Sequence, residues 1–131
     1  MLGKEKIENY LKTIYKLQMY CDRVKGVSIA SELHVSRPTV CVTLRELRNI
    51  GYVRAYDDGS ISLTKMGLDE ARNIEDRFSF LTEMLTFLNV DKTTAAEDAC
   101  RLEHNLSDDS YNALRKFFAS KWRRNYNENI S

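Results

Sequence analysis

Three side chains of types that bind transition metals lie close together near residue 100. Cys100, Glu103 and His104 form a Cys-x-x-Glu-His motif inside a predicted helix. Because a helix turns by about 100° per residue, positions i, i+3 and i+4 share one face, and the thiolate, carboxylate and imidazole can converge on one point. The same pattern also fits ordinary packing, with Cys100 as a small buried residue and the other two on a solvated edge.

A divalent-metal site built on this motif needs further ligands. Three donors from one helix leave one or two coordination positions to be filled from elsewhere. A thiolate among the donors favours iron, cobalt, nickel or zinc over manganese or magnesium. The elements around the motif therefore decide how complete the site is.

The first 35 residues are predicted to contain two helices. In the first helix an apolar stripe recurs at i, i+3, i+4 and i+7, which is typical of a helix with one buried face. The stripe consists of Ile7, Tyr10, Leu11, Ile14 and Leu17. Ser28 is the predicted N-cap of a short second helix that carries Ile29, Ala30 and Leu33.

The strongest helix signals lie at residues 36 to 51. Ser36 is a predicted N-cap, and Pro38 stands in the first turn, where proline is tolerated because the early N–H groups have no intrahelical partner. Apolar residues continue at helical spacing to Leu47, and Gly51 is a natural helix stop. Two helices joined by about three residues match the helix-turn-helix pattern.

The periodicity changes after this helix. Residues 52–56 are rich in β-formers, residues 57–60 have turn chemistry, and residues 61–64 alternate apolar and polar. This pattern predicts a β-hairpin directly after the second helix of the helix-turn-helix, which is the wing of a winged helix.

The predicted fold is mainly α-helical, with an N-terminal winged helix-turn-helix that has a two-stranded wing, followed by an all-helical domain. The predicted domains are residues 1–73 and 74–131. Three helices are predicted after the wing, over residues 64–88, 93–105 and 108–120, followed by a frayed polar tail.

A winged helix places its recognition helix in the major groove, with the N-terminal residues nearest the bases. Arg37 can pair with guanine O6 and N7. Pro38, Val42 and the methyl group of Thr39 can contact thymine methyls. The full candidate set for binding double-stranded DNA is Ser36, Arg37, Pro38, Thr39, Val42, Thr43, Arg45, Arg54 and Lys65. A helical hairpin with a β-turn in another small fold is the alternative interpretation.

The net charge of +1 conceals an uneven distribution. The 131 residues hold 20 Lys and Arg against 19 Asp and Glu, which argues against a strongly basic nucleic-acid binder. Residues 1–73 hold 12 basic and 9 acidic residues, whereas residues 74–131 hold 8 and 10. The basic half is therefore the half with the predicted DNA reader.

The cysteines, the hydropathy and the N-terminal segment together predict the cellular compartment of the protein. The three cysteines are an odd number at wide spacing, unlike a disulfide framework. No run of about 18 apolar residues is present, so no membrane partner is expected. The N-terminus leads into a charged amphipathic segment rather than an apolar signal core, and we expect a cytoplasmic protein.

Several stretches together carry a family resemblance. They are residues 8–17 (ENYLKTIYKL), residues 29–33 (IASEL) with 36–40 (SRPTV), Leu63-Thr64-x-x-Gly67, and residues 97–108 (EDACRLEHNLSD). With these motifs the chain resembles the diphtheria-toxin-repressor family of iron- and manganese-responsive metalloregulators over about residues 5–120.

The resemblance implies a winged-helix homodimer that binds a divalent metal between its DNA-reading domain and a helical dimerisation domain, and then binds palindromic operators. The short form without an SH3-like domain is expected. The implied cofactor is Fe(II) or Mn(II), and neither enzymatic activity nor a small organic substrate is implied.

The resemblance also assigns metal ligands by position. Cys100, Glu103 and His104 match three ligands of the family's site, with Cys100 as in its iron-type version. The first-helix ligand falls on Asn9, which offers only a neutral amide oxygen and is a weak fourth ligand. Other ligand positions of the family fall on Phe78, Thr82 and Ala96, so a second metal site is predicted to be lost.

Three interpretations stay open at this point. The first is a metal-dependent repressor with one weakened site, completed by Asn9 or water. The second is a metal-independent regulator of the same family, in which Lys12 pairs with Glu103 and supplies part of the metal's charge. The third is a zinc enzyme or thiol sensor that uses Cys100 with His104, although no second base or oxyanion device is visible in the sequence.

Overall fold

The computed structural model describes the backbone of residues 3–130 and the side chains of residues 3–121. In chain order the elements are α1 (Lys4–Leu17), α2 (Gly26–Leu33), α3 (Arg37–Ile50), β1 (Val53–Ala55), β2 (Ile61–Leu63), α4 (Lys65–Phe87), α5 (Lys92–Asn105) and α6 (Asp108–Ile130). The predicted fold class is confirmed. The chain divides into two compact units between Glu75 and Asp76, within α4.

The core of the first unit forms where α1, α2 and α3 each turn one apolar face inward. Ile14 of α1, Ile29 of α2 and Leu47 of α3 are fully buried in this core. The apolar stripe predicted for the first helix is the face that α1 buries. Burial of these side chains supplies the main driving force for packing the three helices.

The start of α2 differs from the prediction. The helix begins at Gly26 with Lys25 as its N-cap, and not at Ser28. The carbonyl oxygen of Lys25 accepts hydrogen bonds from Ser28 N at 3.0 Å and Ile29 N at 3.4 Å, so the first turn forms three residues earlier than predicted. Ser28 is exposed within that turn. His34, in the left-handed conformation at φ 57°, ends the helix.

The predicted signals at both ends of α3 are confirmed. Ser36 Oγ accepts a hydrogen bond from Thr39 N at 3.3 Å, and Pro38 lies in the first turn. At the other end Gly51 adopts φ 105°, which glycine accommodates without strain, and its N–H donates to the carbonyl oxygen of Leu47 at 3.1 Å. The recognition helix is thus delimited by local chemistry.

The two strands of the wing are shorter than the predicted segments 52–56 and 61–64, and one residue outside the predicted hairpin also pairs with it. The strands β1 and β2 pair antiparallel, with Val53 opposite Leu63. Val24, which precedes α2, also pairs with Ile61 through two N–H···O bonds of 2.8 Å. Val24, Val53 and Ile61 are buried in the core, so one face of the wing packs inward and the other points outward.

The core of the second unit lies between the end of α4, α5 and α6. Phe80, Leu81 and Met84 of α4 pack with Ala99 of α5 and Tyr111 of α6. The rings of Phe80 and Tyr111 meet edge to face with their centroids 5.6 Å apart. None of the helices in the described part of the chain has the length and apolar content needed to cross a membrane.

The start of α6 is tied to α4 by one side chain. Arg77 donates to the carbonyl oxygen of Ser107 at 3.3 Å and to Asp108 Oδ1 at 3.0 Å. Ser107 Oγ accepts a hydrogen bond from Ser110 N at 3.1 Å and so caps the start of α6. The backbone of α6 extends to Ile130, and the predicted frayed tail from residue 121 onward stays a prediction, because almost all of it lies outside the residues whose side chains the structure describes. Residue 131 lies outside the described residues.

Gly67 is required by a close approach of backbone. A Cβ atom at this position would overlap the carbonyl oxygen of Tyr52 and lie 3.2 Å from Leu63 Cδ2. The approach is held by Thr64 Oγ1, which donates to the carbonyl oxygen of Gly51 at 2.6 Å and accepts from Gly67 N at 3.1 Å. The start of α4 therefore fits against the end of α3 only with glycine here.

We expect Gly67→Ala to lower the free energy of unfolding by about 1–3 kcal/mol, because the backbone must shift to admit the methyl group. Urea unfolding followed by circular dichroism measures the change. The matched control is Gly26→Ala in the first turn of α2, where the new Cβ would lie 3.6 Å from Val40 Cγ1, an ordinary contact. Equal effects of the two substitutions would contradict the close approach.

Candidate metal centre and DNA-binding surface

The helix that carries the metal-binding motif is fixed at its start and along one side. Asp91 is its N-cap, and the carboxylate accepts a hydrogen bond from Thr94 N at 3.3 Å. Ala95 and Ala99 are fully buried, so small side chains let α5 lie close against the rest of the second unit. The residues that follow Ala99 by one, four and five positions are the three predicted ligands.

The structure brings Cys100, Glu103 and His104 together. One sulfur, one carboxylate oxygen and one imidazole nitrogen from these residues all lie within 4.8 Å of one another. Glu103 is 1% exposed and His104 is 8% exposed, while Cys100 is half-buried. The geometry thus removes the alternative of a solvated edge for Glu103 and His104, whereas ligation itself stays a prediction.

The donor set fits a divalent transition metal. Ligand atoms that share one ion at about 2.0–2.3 Å are separated by roughly 3–4 Å, and Glu103 Oε1 lies 3.6 Å from His104 Nε2. When ionised, the thiol and carboxylate carry two negative charges, which match the charge of a divalent cation. Thiolate, imidazole and carboxylate are donor types that hold Fe(II), Co(II) or Zn(II).

Asn9 belongs to α1, where it is half-buried. Its amide oxygen is a neutral ligand of the kind that hard cations accept. Its contribution as a fourth ligand stays a prediction.

Apolar packing occupies the positions where the family resemblance places further ligands. Phe78 packs against the core of the second unit, and Thr82 Oγ1 donates to the carbonyl oxygen of Phe78 at 2.8 Å. Ala96 has no ligating atom in its side chain. Within the part of the chain that the structure describes, no second group of three His, Cys, Asp or Glu side chains converges.

The N-terminal half of α3 presents most of its predicted DNA-binding residues to solvent. Arg37, Pro38, Thr39 and Arg45 are exposed, and Val42 is 53% exposed although it is apolar. Ser36 Oγ and Thr39 Oγ1 lie 2.8 Å apart and share a hydrogen bond, which orients both hydroxyls at the start of the helix. This surface offers two arginines and several methyl groups, the combination needed to contact guanine and thymine edges.

Thr43 is the exception in the predicted set. Its side chain is 1% exposed, and Oγ1 donates to the carbonyl oxygen of Thr39 at 2.9 Å. Val40, Thr43 and Leu47 form the buried stripe of α3, so Thr43 faces the core and not a groove. We therefore leave Thr43 out of the proposed DNA-binding surface.

Arg54 on β1 and Lys65 at the start of α4 are both exposed, as a phosphate contact requires. The sequence pattern does not single out Arg23, a further exposed cation that lies next to the wing. The guanidinium of Arg23 stacks on the ring of Tyr56, 3.7 Å from its centroid. The two residues are distant in the sequence, and only the pairing of Val24 with Ile61 brings them together.

Two family models together match almost the whole chain. A model described as "Iron dependent repressor, N-terminal DNA binding domain" matches residues 1–60. A second, described as "Iron dependent repressor, metal binding and dimerisation domain", matches residues 64–123. The three clustered side chains lie within the second match.

Individual relatives agree with these models. The chain is 35% identical to an uncharacterized HTH-type transcriptional regulator of Methanocaldococcus jannaschii, over 86% of this chain and 92% of that protein. It is 28% identical to the transcriptional regulator MntR of Salmonella typhimurium, over 87% of this chain and 73% of that protein. Among solved structures, the manganese regulator SloR superposes with a TM-score of 0.72 at 28% identity, over 91% of this chain and 55% of SloR.

If Cys100 supplies a thiolate ligand, Co(II) binding should produce a thiolate-to-cobalt absorption band in the near ultraviolet. We expect Cys100→Ala to abolish the band and to weaken Co(II) binding on the order of tenfold or more. Titration with Co(II) under anaerobic conditions measures both quantities. Cys21→Ala is the control, because Cys21 is an exposed cysteine outside the motif. Persistence of the band in Cys100→Ala would exclude the thiolate ligand.

Proposed function

The chain belongs to the iron dependent repressor family, and on this premise we propose that it binds palindromic operator DNA as a homodimer in response to a divalent metal held by Cys100, Glu103 and His104. Its relatives are DNA-binding transcriptional regulators and not enzymes. Its action on DNA implies a location in the compartment that holds the chromosome.

The observation that carries the metal response is the convergence of three donor atoms within 4.8 Å inside the segment that matches a metal-binding domain. This donor set needs a cysteine, a glutamate and a histidine whose ligand atoms converge on one point. The burial of Glu103 supports binding of a cation, because an ionised carboxylate that leaves water must be compensated. Asn9 is proposed as a weak additional ligand.

Each ligand has a separate role in the proposed site. The Cys100 thiolate is the softest donor and biases the site toward Fe(II). Glu103 contributes a negative charge and His104 a neutral nitrogen, provided that the imidazole is unprotonated. A bound divalent cation supplies positive charge that the three side chains share. Mn(II) is the second candidate, since SloR and MntR are similar proteins and SloR is described as a manganese regulator.

The proposed DNA reader is the exposed face of α3. Arg37 stands at the first position of the helix and pairs with guanine, while Val42 and the methyl of Thr39 contact thymine methyls. Ser36 and Arg45, with Arg54 and Lys65 near the wing, contact phosphates and fix the orientation of the helix without reading sequence.

The second unit is proposed to join two copies. The family model that matches residues 64–123 describes a metal binding and dimerisation domain. We propose residues 74–131 as the metal-binding and dimerisation domain and residues 1–73 as the DNA-binding domain. Phe87, Leu88 and Phe117 are 39%, 53% and 55% exposed, which is apolar area that a partner copy can cover. Two recognition helices one turn of DNA apart then match a palindrome.

We expect operator affinity to fall when metal is removed by a chelator and to return when Fe(II) or Mn(II) is added. The operator is obtained by selection from random duplexes, and binding is followed by fluorescence anisotropy at fixed salt. Cys100→Ala should lose the metal response, whereas Cys21→Ala should keep it.

Operator binding that does not depend on metal would favour the alternative of a metal-independent regulator. Operator affinity that is unchanged after complete chelation, in the parent and in Cys100→Ala, would contradict the metal-dependent function while leaving DNA binding in place.

We expect Arg37→Ala to weaken operator binding by about 1–3 kcal/mol and to relax specificity at one base position in each half-site. Repeating the selection with the variant reveals the relaxed position. Lys116→Ala, which removes one exposed positive charge from α6, is the control and should bind like the parent. Unchanged affinity in Arg37→Ala would show that α3 does not read DNA through its first turn.

A further inference from the structure

The three arginines of α3 lie on the flank of the helix that faces the wing. Arg45 and Arg48 line a surface cleft of about 240 Å³, whose other wall is formed by residues of the hairpin. Arg37 precedes Arg48 by about three helical turns, so it lies on the same flank. Arg37 and Arg45 already belong to the proposed DNA reader, whereas Arg48 has no role in it.

The opposite flank of α3 carries a different charge. Thr39 lines a separate cleft together with residues of α1. Glu46, the acidic residue of this helix, lies about two turns further along the same side and is half-buried. The exposed face of α3 is therefore bordered by positive charge toward the wing and by negative charge toward α1.

The cleft beside the wing has the chemistry of a phosphate-binding surface. Its lining combines the two arginines with uncharged residues, namely Cys41, Leu44, Val53, Ala55, Gly59 and Ile61. Asp58, which directly precedes Gly59, uses Oδ1 to accept hydrogen bonds from Ser60 N at 3.0 Å and from Ser60 Oγ, so that carboxylate is turned into the hairpin loop. An anion in the cleft thus meets two cations and no carboxylate among the described residues that line it.

The side chains of Arg45 and Arg48 are available to a ligand. Both are exposed, and neither has an ion-pair or hydrogen-bond partner among the residues that the structure describes. In the second unit, by contrast, Arg77 and Arg101 each donate to an aspartate, at 3.0 and 2.9 Å. The N–H groups of a guanidinium form a fork that matches two phosphate oxygens, so an arginine without a partner beside a cleft is suited to bind a DNA backbone.

The position of the cleft relates it to one strand of the DNA. The major groove is about 12 Å wide, and an α-helix with its side chains is about 10–12 Å across, so a recognition helix in the groove has a sugar–phosphate backbone along each flank. With the exposed face of α3 in the groove, one backbone passes the cleft, and the other passes the flank that carries Glu46. The arginines of the cleft therefore face the first of these two strands.

We propose that Arg48, together with Arg45, binds the phosphate backbone of the DNA strand that passes the cleft between α3 and the inner face of the wing. Arg48 is thereby a further DNA-binding residue, and both arginines of the cleft contact the same strand of a half-site. This inference rests on the proposed DNA-binding function.

The first test replaces single phosphates of the selected operator with neutral methylphosphonates, one position at a time on both strands. Arg48→Ala should bind the unmodified operator several-fold more weakly, with a salt slope lower by about 1 for each phosphate that is no longer neutralised. It should also lose the parent's sensitivity to one of the replacements, because the charge pair is already broken. Arg45→Ala should lose sensitivity at a neighbouring position of the same strand, whereas Arg48→Lys keeps the charge and should keep most of the sensitivity.

The second test adds a cation to the opposite wall of the cleft. Ala55 is exposed and lines the cleft on the wing side. Ala55→Lys should tighten binding to the operator and to a random duplex and should steepen the salt dependence, whereas Ala55→Glu should weaken binding to both. Lys116→Ala, on α6, is the control and should match the parent. A gain of affinity in Ala55→Lys cannot result from loss of folded protein.

Thermal unfolding shows whether each variant stays folded. If folded Arg48→Ala keeps the parent's affinity, salt slope and sensitivity to every methylphosphonate, the contact is overturned while DNA binding stands. Lost sensitivities of Arg45→Ala and Arg48→Ala that fall on opposite strands of a half-site would overturn the shared strand. If the parent itself binds no duplex with or without metal, the proposed function fails, and this inference fails with it.

Discussion

The burial of Glu103 is the constraint on which the second unit depends. Its side chain is almost entirely removed from water on a helix packed through alanines, and an ionised carboxylate in that position requires a compensating charge or proton. His104 Nε2 is 3.6 Å away, and the thiol of Cys100 completes the cluster. The divalent cation proposed for this site would meet that requirement, and the proposed metal response would then rest on one buried carboxylate.

The parts of the fold that could be predicted from the sequence are those set by local chemistry. Ser36, Pro38 and Gly51 delimit α3 through an N-cap, a first-turn proline and a left-handed stop, each of which acts within four residues. The start of α2 was mispredicted because its first turn uses the carbonyl of Lys25 and no side-chain cap, which leaves no signal in the sequence. The pairing of Val24 with Ile61 joins distant residues through backbone alone, and residue types do not encode it.

The candidate sites also contain residues whose placement follows from helical spacing and residues whose placement only the structure shows. The convergence of Cys100, Glu103 and His104 followed from helical spacing alone, because all three donors lie on one helix. The burial of Thr43 also follows from spacing, since Val40 and Leu47 lie three residues before it and four after it, and the stripe they define passes through it. The prediction nevertheless includes Thr43 among the DNA-binding residues, because a hydroxyl can contact DNA. The stack of Arg23 on Tyr56 depends on the wing's register and required the structure.

The net charge of +1 is consistent with DNA binding once the positions of the charges are known. Three exposed cations of the first unit, Arg37, Arg45 and Arg48, lie on α3, Arg54 lies on the wing, and carboxylates occupy the wing tip. Few phosphate contacts per protomer mean weak binding to arbitrary DNA, because that affinity grows with the number of counterions released. Discrimination must then come from base contacts by α3 and from pairing two copies on a palindrome. The proposed function therefore relies on dimerisation for affinity and on the cluster of Cys100, Glu103 and His104 for the response to metal.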